Sequence, residues 1–100
     1  LVVLAGPPAA IEAGLESIET NALVTDVAGV KEPMVRAAKR LRRFVGGHPM
    51  AGRETSGPAG ASGVLFRGAT WVLSTDGVQA DDLAQMVEIV SSLGAIAVPM

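Results

Sequence analysis

The chain contains no cysteine and a single histidine, His48. The first absence excludes disulfides and thiolate metal sites and leaves the redox compartment open. The second argues against a histidine-built zinc centre, so no metal site is expected. Neither sign of charge dominates: eight basic and ten acidic residues give a net charge of -2. That balance lacks the broad basic footprint that nucleic acid demands, and no nucleic-acid partner is expected. Every apolar run falls far short of the ~20 residues that cross a bilayer, and no basic segment precedes the first run as in a signal peptide. The expectation is a soluble, cytoplasmic protein with no membrane partner. Internal repeats and low-complexity tracts are also missing.

What is present is apolar. Hydrophobic residues make up 49% of the 100 positions and mean hydropathy is +0.42, above the average for a soluble domain. This length allows one small domain burying roughly 60 to 70% of its unfolded surface, and excludes a two-domain enzyme. The chain opens inside an apolar run, Leu1 to Ala5, with no initiator methionine and no leading polar residues. It reads as a piece of something longer.

Five short apolar runs alternate with helical patterns: Leu1 to Ala5, Ala22 to Val27, Phe44 to Gly46, Thr70 to Ser74 and Ala95 to Val98. Continuous hydrophobicity in runs this short indicates strands covered on both faces, as in a parallel sheet. Between the first two runs, Gly6-Pro7-Pro8 breaks the pattern. Ile11, Leu15 and Ile18 then recur at helical spacing with Glu12, Glu16 and Glu19 opposite, predicting an amphipathic helix. A second helix is predicted over Glu32 to Arg43, with Met34, Ala38 and Leu41 as its apolar stripe. Arg36, Lys39, Arg40, Arg42 and Arg43 fall on its outer side, where a solvated basic face is expected. A third opens at Asp81 and Asp82, buries Leu83, Met86, Val87, Val90 and Leu93, and ends at Gly94. Strand and helix in this alternation are the grammar of crossover units, a Rossmann-like α/β fold with a mostly parallel sheet and flanking helices. Ligands of such sheets sit where the strands end. The loops Gly6 to Pro8, Val27 to Lys31 and Gly47 to Gly57 should converge there.

Gly46-Gly47-His48-Pro49-Met50-Ala51-Gly52-Arg53-Glu54-Thr55-Ser56-Gly57 is the segment richest in chemistry. Histidine, with an ordinary pKa of roughly 6.5, exchanges a proton near neutral pH, and glycines let a ligand approach the backbone. The segment is read as an active-site loop, although a lone histidine also occurs as a hydrogen-bonded packing or surface residue. From Ala51 to Gly68 the chain is again rich in glycine and longer than the ~4 to 6 residues of an ordinary connection.

Thr25-Asp26-Val27-Ala28-Gly29-Val30-Lys31, Phe44-Val45-Gly46-Gly47-His48-Pro49-Met50-Ala51-Gly52, Glu54, Ser56-Gly57, Leu65-Phe66 and Trp71-Val72-Leu73 together resemble the prephenate and arogenate dehydrogenase family of tyrosine biosynthesis. The resemblance runs in order through almost the whole chain and is most specific around His48. It implies the second half of a Rossmann-type dinucleotide-binding domain. The opening strand, its Gly-x-Gly-x-x-Gly turn and the family's C-terminal helical domain have no counterpart here. The implied reaction is an oxidative decarboxylation with hydride transfer to NAD or NADP, and His48 matches the family's catalytic histidine. The resemblance further implies substrate contacts from Gly29, Pro49, Gly52 and Glu54. Where the family commonly has Gly-Ser, this chain has Ala28-Gly29, and Gly29 cannot supply that hydroxyl.

For the cofactor, Gly6 and Pro7 sit where its ribose and nicotinamide portion would pass, and Asp26 and Val27 join them as expected contacts. A strand-end hydrogen bond for Asp26 and a helix-start ion pair for Lys31 stand as alternatives. Trp71 is expected in the core. The implied whole protein is a homodimer with a small-molecule substrate, and these 100 residues alone are expected to be inactive. Without a strand beside Leu1 to Ala5, an apolar edge should favour self-association. Two other readings stand beside this one: a non-catalytic α/β binding or assembly module derived from the fold, and another hydroxy-acid dehydrogenase.

Overall fold

Residues 1–50 and 66–100 are described by a computed structural model. Strands alternate with helices in the order β1 (Val2–Leu4), α1 (Pro8–Ser17), β2 (Val24–Asp26), α2 (Glu32–Ala37), β3 (Phe44–Val45), β4 (Gly47–Met50), β5 (Thr70–Leu73), α3 (Ala80–Ser92) and β6 (Ile96–Pro99). The strands form two three-stranded sheets, β1-β2-β3 and β4-β5-β6, joined by the single residue Gly46 between β3 and β4. All pairs are parallel except β4 with β5, which is antiparallel. The expected mostly parallel, Rossmann-like architecture is therefore present.

Successive strand residues point to opposite faces, and β2 shows what that achieves. Val24 is buried in a cluster with Ile11, Leu15, Ala28, Met34 and Ala38, which brings α1 and α2 onto one face. Its neighbour Leu23 is buried instead with Val45, Trp71, Leu73, Met86 and Val90, the core beneath α3. Helices on both faces account for continuous rather than alternating hydrophobicity in the central strand. At the margin of its sheet, β1 is covered less completely, and Leu1 and Val3 are exposed.

Pro8 occupies the first turn of α1, where its missing N–H costs nothing and its fixed φ suits the helix. Ile11 and Leu15 are fully buried, and each such side chain contributes roughly 1.5 to 3 kcal/mol. Helix α3 keeps its predicted acidic first turn, Asp81 and Asp82, and Gly94 adopts φ +82° just beyond its end, the left-handed position that glycine fills without strain. Trp71 lies in the core against Phe66, with ring centroids 5.2 Å apart.

Leu93, expected in the buried stripe of α3, is 45% exposed, and two elements also need correction. The helix predicted to Arg43 stops at Ala37, and the basic run beyond it is not one solvated helical face. Arg40 instead reaches across to the carbonyls of Glu16 and Ile18 at the end of α1, groups that the helix leaves without partners. Arg43 bonds Asp82 at 2.8 Å and Gln85 at 2.6 Å on α3. These cations tie helices to one another, a use that local spacing does not reveal.

The second correction concerns Gly47 to Met50, expected as loop and found as strand β4. Its glycine and proline are poor strand formers, but pairing with β5 overrides local preference. Within the described residues β4 has β5 as its only ladder partner, an edge position that tolerates Pro49.

Candidate functional site

Because β1, β2 and β3 are parallel and in register, their last residues reach the same edge of the sheet. The chain leaves that edge three times: at Ala5 to Pro7, at Val27 to Lys31, and at Gly46 into β4. Gly6 and Pro7 are exposed, and a Cβ built on Gly6 meets nothing within 4 Å. Val27 is half-buried against the core under α3. His48 and Pro49 are half-buried on β4, paired with Val72 and Trp71.

The loop after β2 meets the histidine directly. A Cβ built on Gly29 would lie 3.4 Å from His48 Nε2 and 3.7 Å from Cε1. The imidazole thus faces a bare α-carbon, and no side chain from position 29 covers its Nε2 edge. Expected loop convergence is met for these two segments, from β2 and β4. Gly52 and Glu54, also expected in the site, lie outside the described residues.

Asp26 has another job than the expected contact with a cofactor. It is fully buried at the end of β2, and both carboxylate oxygens accept bonds from within the chain. The N–H of Ala28 donates to Oδ2 at 3.1 Å, tightening the loop as an Asx turn, and the N–H of Gly47 donates to Oδ1 at 3.2 Å. The Lys31 ammonium also bonds Oδ2 and donates to the Gly47 carbonyl. The alternatives that sequence left open, a strand-end hydrogen bond for Asp26 and an ion pair for Lys31, are both realised. Burial pushes the Lys31 pKa below its ordinary value, opposed by the hydrogen bond and the charge of Asp26.

Gly47 was legible only as part of a glycine-rich stretch, and its particular importance comes from space. A Cβ there would lie 2.8 Å from both the Asp26 carbonyl oxygen and Trp71 Nε1. Only a bare α-carbon lets β4 pass so close to β2. The one signal in the sequence was the paired glycine directly before the histidine.

No group of three or more metal-ligating side chains occurs among the described residues. One cavity lies elsewhere, lined by Val35, Leu41, Phe44 and Gln79 near the start of β3. The chemistry this edge can offer is proton exchange by an imidazole whose preceding residue, Gly47, is held by hydrogen bonds to Asp26 and Lys31, beside loops with little side-chain bulk.

A two-sided α/β sheet with open glycine-containing turns at its strand ends defines the nucleotide-binding class of Rossmann-like domains. The family model described as prephenate dehydrogenase, nucleotide-binding domain, matches residues 1–98. This chain belongs to that family. A probable prephenate dehydrogenase of Streptomyces niveus is 41% identical over 98% of this chain and 29% of its own length. Prephenate dehydrogenase of Bacillus subtilis is 42% identical over 67% of this chain and 19% of its own. The crystal structure of prephenate dehydrogenase from Aquifex aeolicus superposes with a TM-score of 0.85 at 27% identity, covering 99% of this chain and 38% of that one. The chain thus spans less than a third of the curated relatives' length in these two matches.

Proposed function

We propose that this chain is the second half of the dinucleotide-binding domain of a prephenate or arogenate dehydrogenase, with His48 as the general base. In that reaction the ring carbon bearing the hydroxyl gives up hydride, the hydroxyl gives up its proton, and the ring carboxylate leaves as carbon dioxide as the ring becomes aromatic. Bound NAD or NADP supplies the hydride acceptor. His48 takes the hydroxyl proton, and help of this kind is worth on the order of 10² to 10⁴ in rate. Gly29 and Pro49 border the ring of the substrate, joined by Gly52 and Glu54. Gly6, Pro7 and Val27 line the nicotinamide side, while Asp26 serves from beneath through hydrogen bonds.

The observation that carries this reading is the placement of His48 against Gly29 at the edge where the parallel strands end. The open space around Gly6 at this edge suits a flat ring approaching the backbone. A further structure of the A. aeolicus enzyme is described as a complex with hydroxyphenyl propionate and NAD+, and it superposes with a TM-score of 0.80 at 28% identity. An arogenate dehydrogenase of Synechocystis superposes at 0.75 and 30% identity, which keeps both substrates in the proposal. A homodimeric, cytoplasmic whole protein completes it. None of the helices among the described residues is long and apolar enough to cross a membrane.

His48→Asn in the full-length protein tests the assignment. The amide keeps approximate size and polarity but cannot take up the proton, so kcat should fall 10² to 10⁴-fold with little change in cofactor binding. Unchanged turnover would remove the catalytic role of His48 altogether.

A further inference from the structure

We infer that Lys31, paired with Asp26, is a positioning residue that holds His48 in place by gripping the peptide group in front of it. This rests on the reading of His48 as the base. The peptide joining Gly47 to His48 is planar, so its carbonyl oxygen, the His48 nitrogen and the His48 α-carbon move as one unit. Lys31 donates to that oxygen at 2.5 Å. From the other side, the Asp26 carboxylate accepts the Gly47 N–H at 3.2 Å. Gly47 is therefore held at both ends by the two members of one ion pair.

The same pair also shapes the surface that the imidazole faces. Lys31 closes the loop that begins at Val27, and Asp26 accepts the Ala28 N–H at 3.1 Å within it. Gly29, between these anchors, is the residue whose bare α-carbon fronts His48 Nε2. One buried carboxylate and one largely covered ammonium thus set both the strand that carries the ring and the loop opposite it. Stability alone does not call for such a pair, since apolar residues of similar volume commonly replace buried ion pairs at no loss. What an apolar pair cannot do is hold the Gly47 carbonyl and N–H at fixed points, and displacement of a reacting group by ~1 Å can cost about 10²-fold in rate.

The double variant Asp26→Asn with Lys31→Met in the full-length protein separates positioning from packing, because it removes both charges together. Three readouts apply: thermal midpoint, kcat and KM with prephenate and NAD, and the NMR cross-relaxation between the His48 ring and the Gly29 α-protons. The expected result is a midpoint within a few degrees of the parent, kcat lowered about 10 to 100-fold, KM within about twofold, and a weakened ring-to-Gly29 signal. Lys31→Arg, which retains the charge, should recover most of kcat. Parental kcat and an intact ring signal in the double variant would overturn the inference. So would a raised KM at parental kcat, which would make Lys31 a substrate contact. If the double variant does not fold, Asp26→Asn alone decides by the same outcomes. The NMR signal needs no turnover: its loss in an enzyme that His48→Asn leaves fully active would sink the catalytic reading and leave the positioning role standing.

Discussion

Gly47→Ala adds one methyl group at the tightest point of the site. Gly47 is not among the glycines with positive φ, so alanine meets no backbone penalty there and any loss is steric. The new Cβ would lie 2.8 Å from the Asp26 carbonyl oxygen and 2.8 Å from Trp71 Nε1, with Thr25 Oγ1 at 3.3 Å. Ordinary contact begins near 3.4 Å, so strands must part by several tenths of an ångström. Neither neighbour yields easily: one is backbone at the fully buried end of β2, and the other is a core indole only 7% exposed. Overpacking of this kind costs about 1 to 3 kcal/mol. Moving Gly47 also strains its N–H bond to Asp26, a further ~0.5 to 1.5 kcal/mol. The sum, about 1.5 to 4.5 kcal/mol, corresponds to a thermal midpoint lowered by roughly 6 to 36 °C in a domain of this size. Urea unfolding should show a lower midpoint at an unchanged m-value. Gly29→Ala is the control, because its Cβ at 3.4 Å from His48 Nε2 is an ordinary contact and its effect should stay within about 0.5 kcal/mol. Equal midpoints for the parent and Gly47→Ala would refute the close approach of β4 to β2.

Gly29→Ser should supply a hydroxyl to His48: an O–H···N bond of ~2.8 Å places its Cβ about 3.5 Å from the nitrogen, close to the 3.4 Å available. If that bond is gained only in the transition state, about 0.5 to 1.5 kcal/mol raises kcat/KM roughly 2 to 12-fold, and a tenfold fall would show that the space is needed open. Asp82→Ala removes the partner of Arg43 and an acidic residue from the first turn of α3. A loss of about 1 to 2 kcal/mol is expected in urea unfolding, and no loss would mean that solvent replaces the pair. Lys31 yields a pH test whose sign follows from its lowered pKa. Between that lowered value and 10.5 the native chain gives up the Lys31 proton before the unfolded chain does, so the unfolded state binds more protons and stability rises with pH. Relative to Lys31→Met, the parent should gain stability across this alkaline window, and a relative decline would mean that Asp26 outweighs desolvation.

Much of the frame was legible because helix and strand write different periods into a sequence. Ile11 and Leu15 on α1, and Met86 and Val90 on α3, are buried as their spacing predicted. The alternation of elements also came through, as did Pro8 at the start of α1 and Gly94 at the end of α3. The predicted helix runs past Ala37 because Arg40 and Arg43 suit a helix locally, whereas the structure engages them in bonds to α1 and α3. Strand β4 is not legible for the converse reason: nothing in Gly-His-Pro-Met favours a strand until β5 pairs with it.

By itself, the order of residues determined the alternating α/β plan, the apolar faces that drive it, and the single side chain suited to proton exchange near neutral pH. These depend on neighbours a few positions apart. Only the tertiary structure decided that Asp26, Lys31 and Gly47 meet and that Gly29 leaves the imidazole edge bare. Those contacts join positions up to 21 residues apart, and they exist because parallel register brings separate strand ends to one edge, where distance along the chain no longer matters.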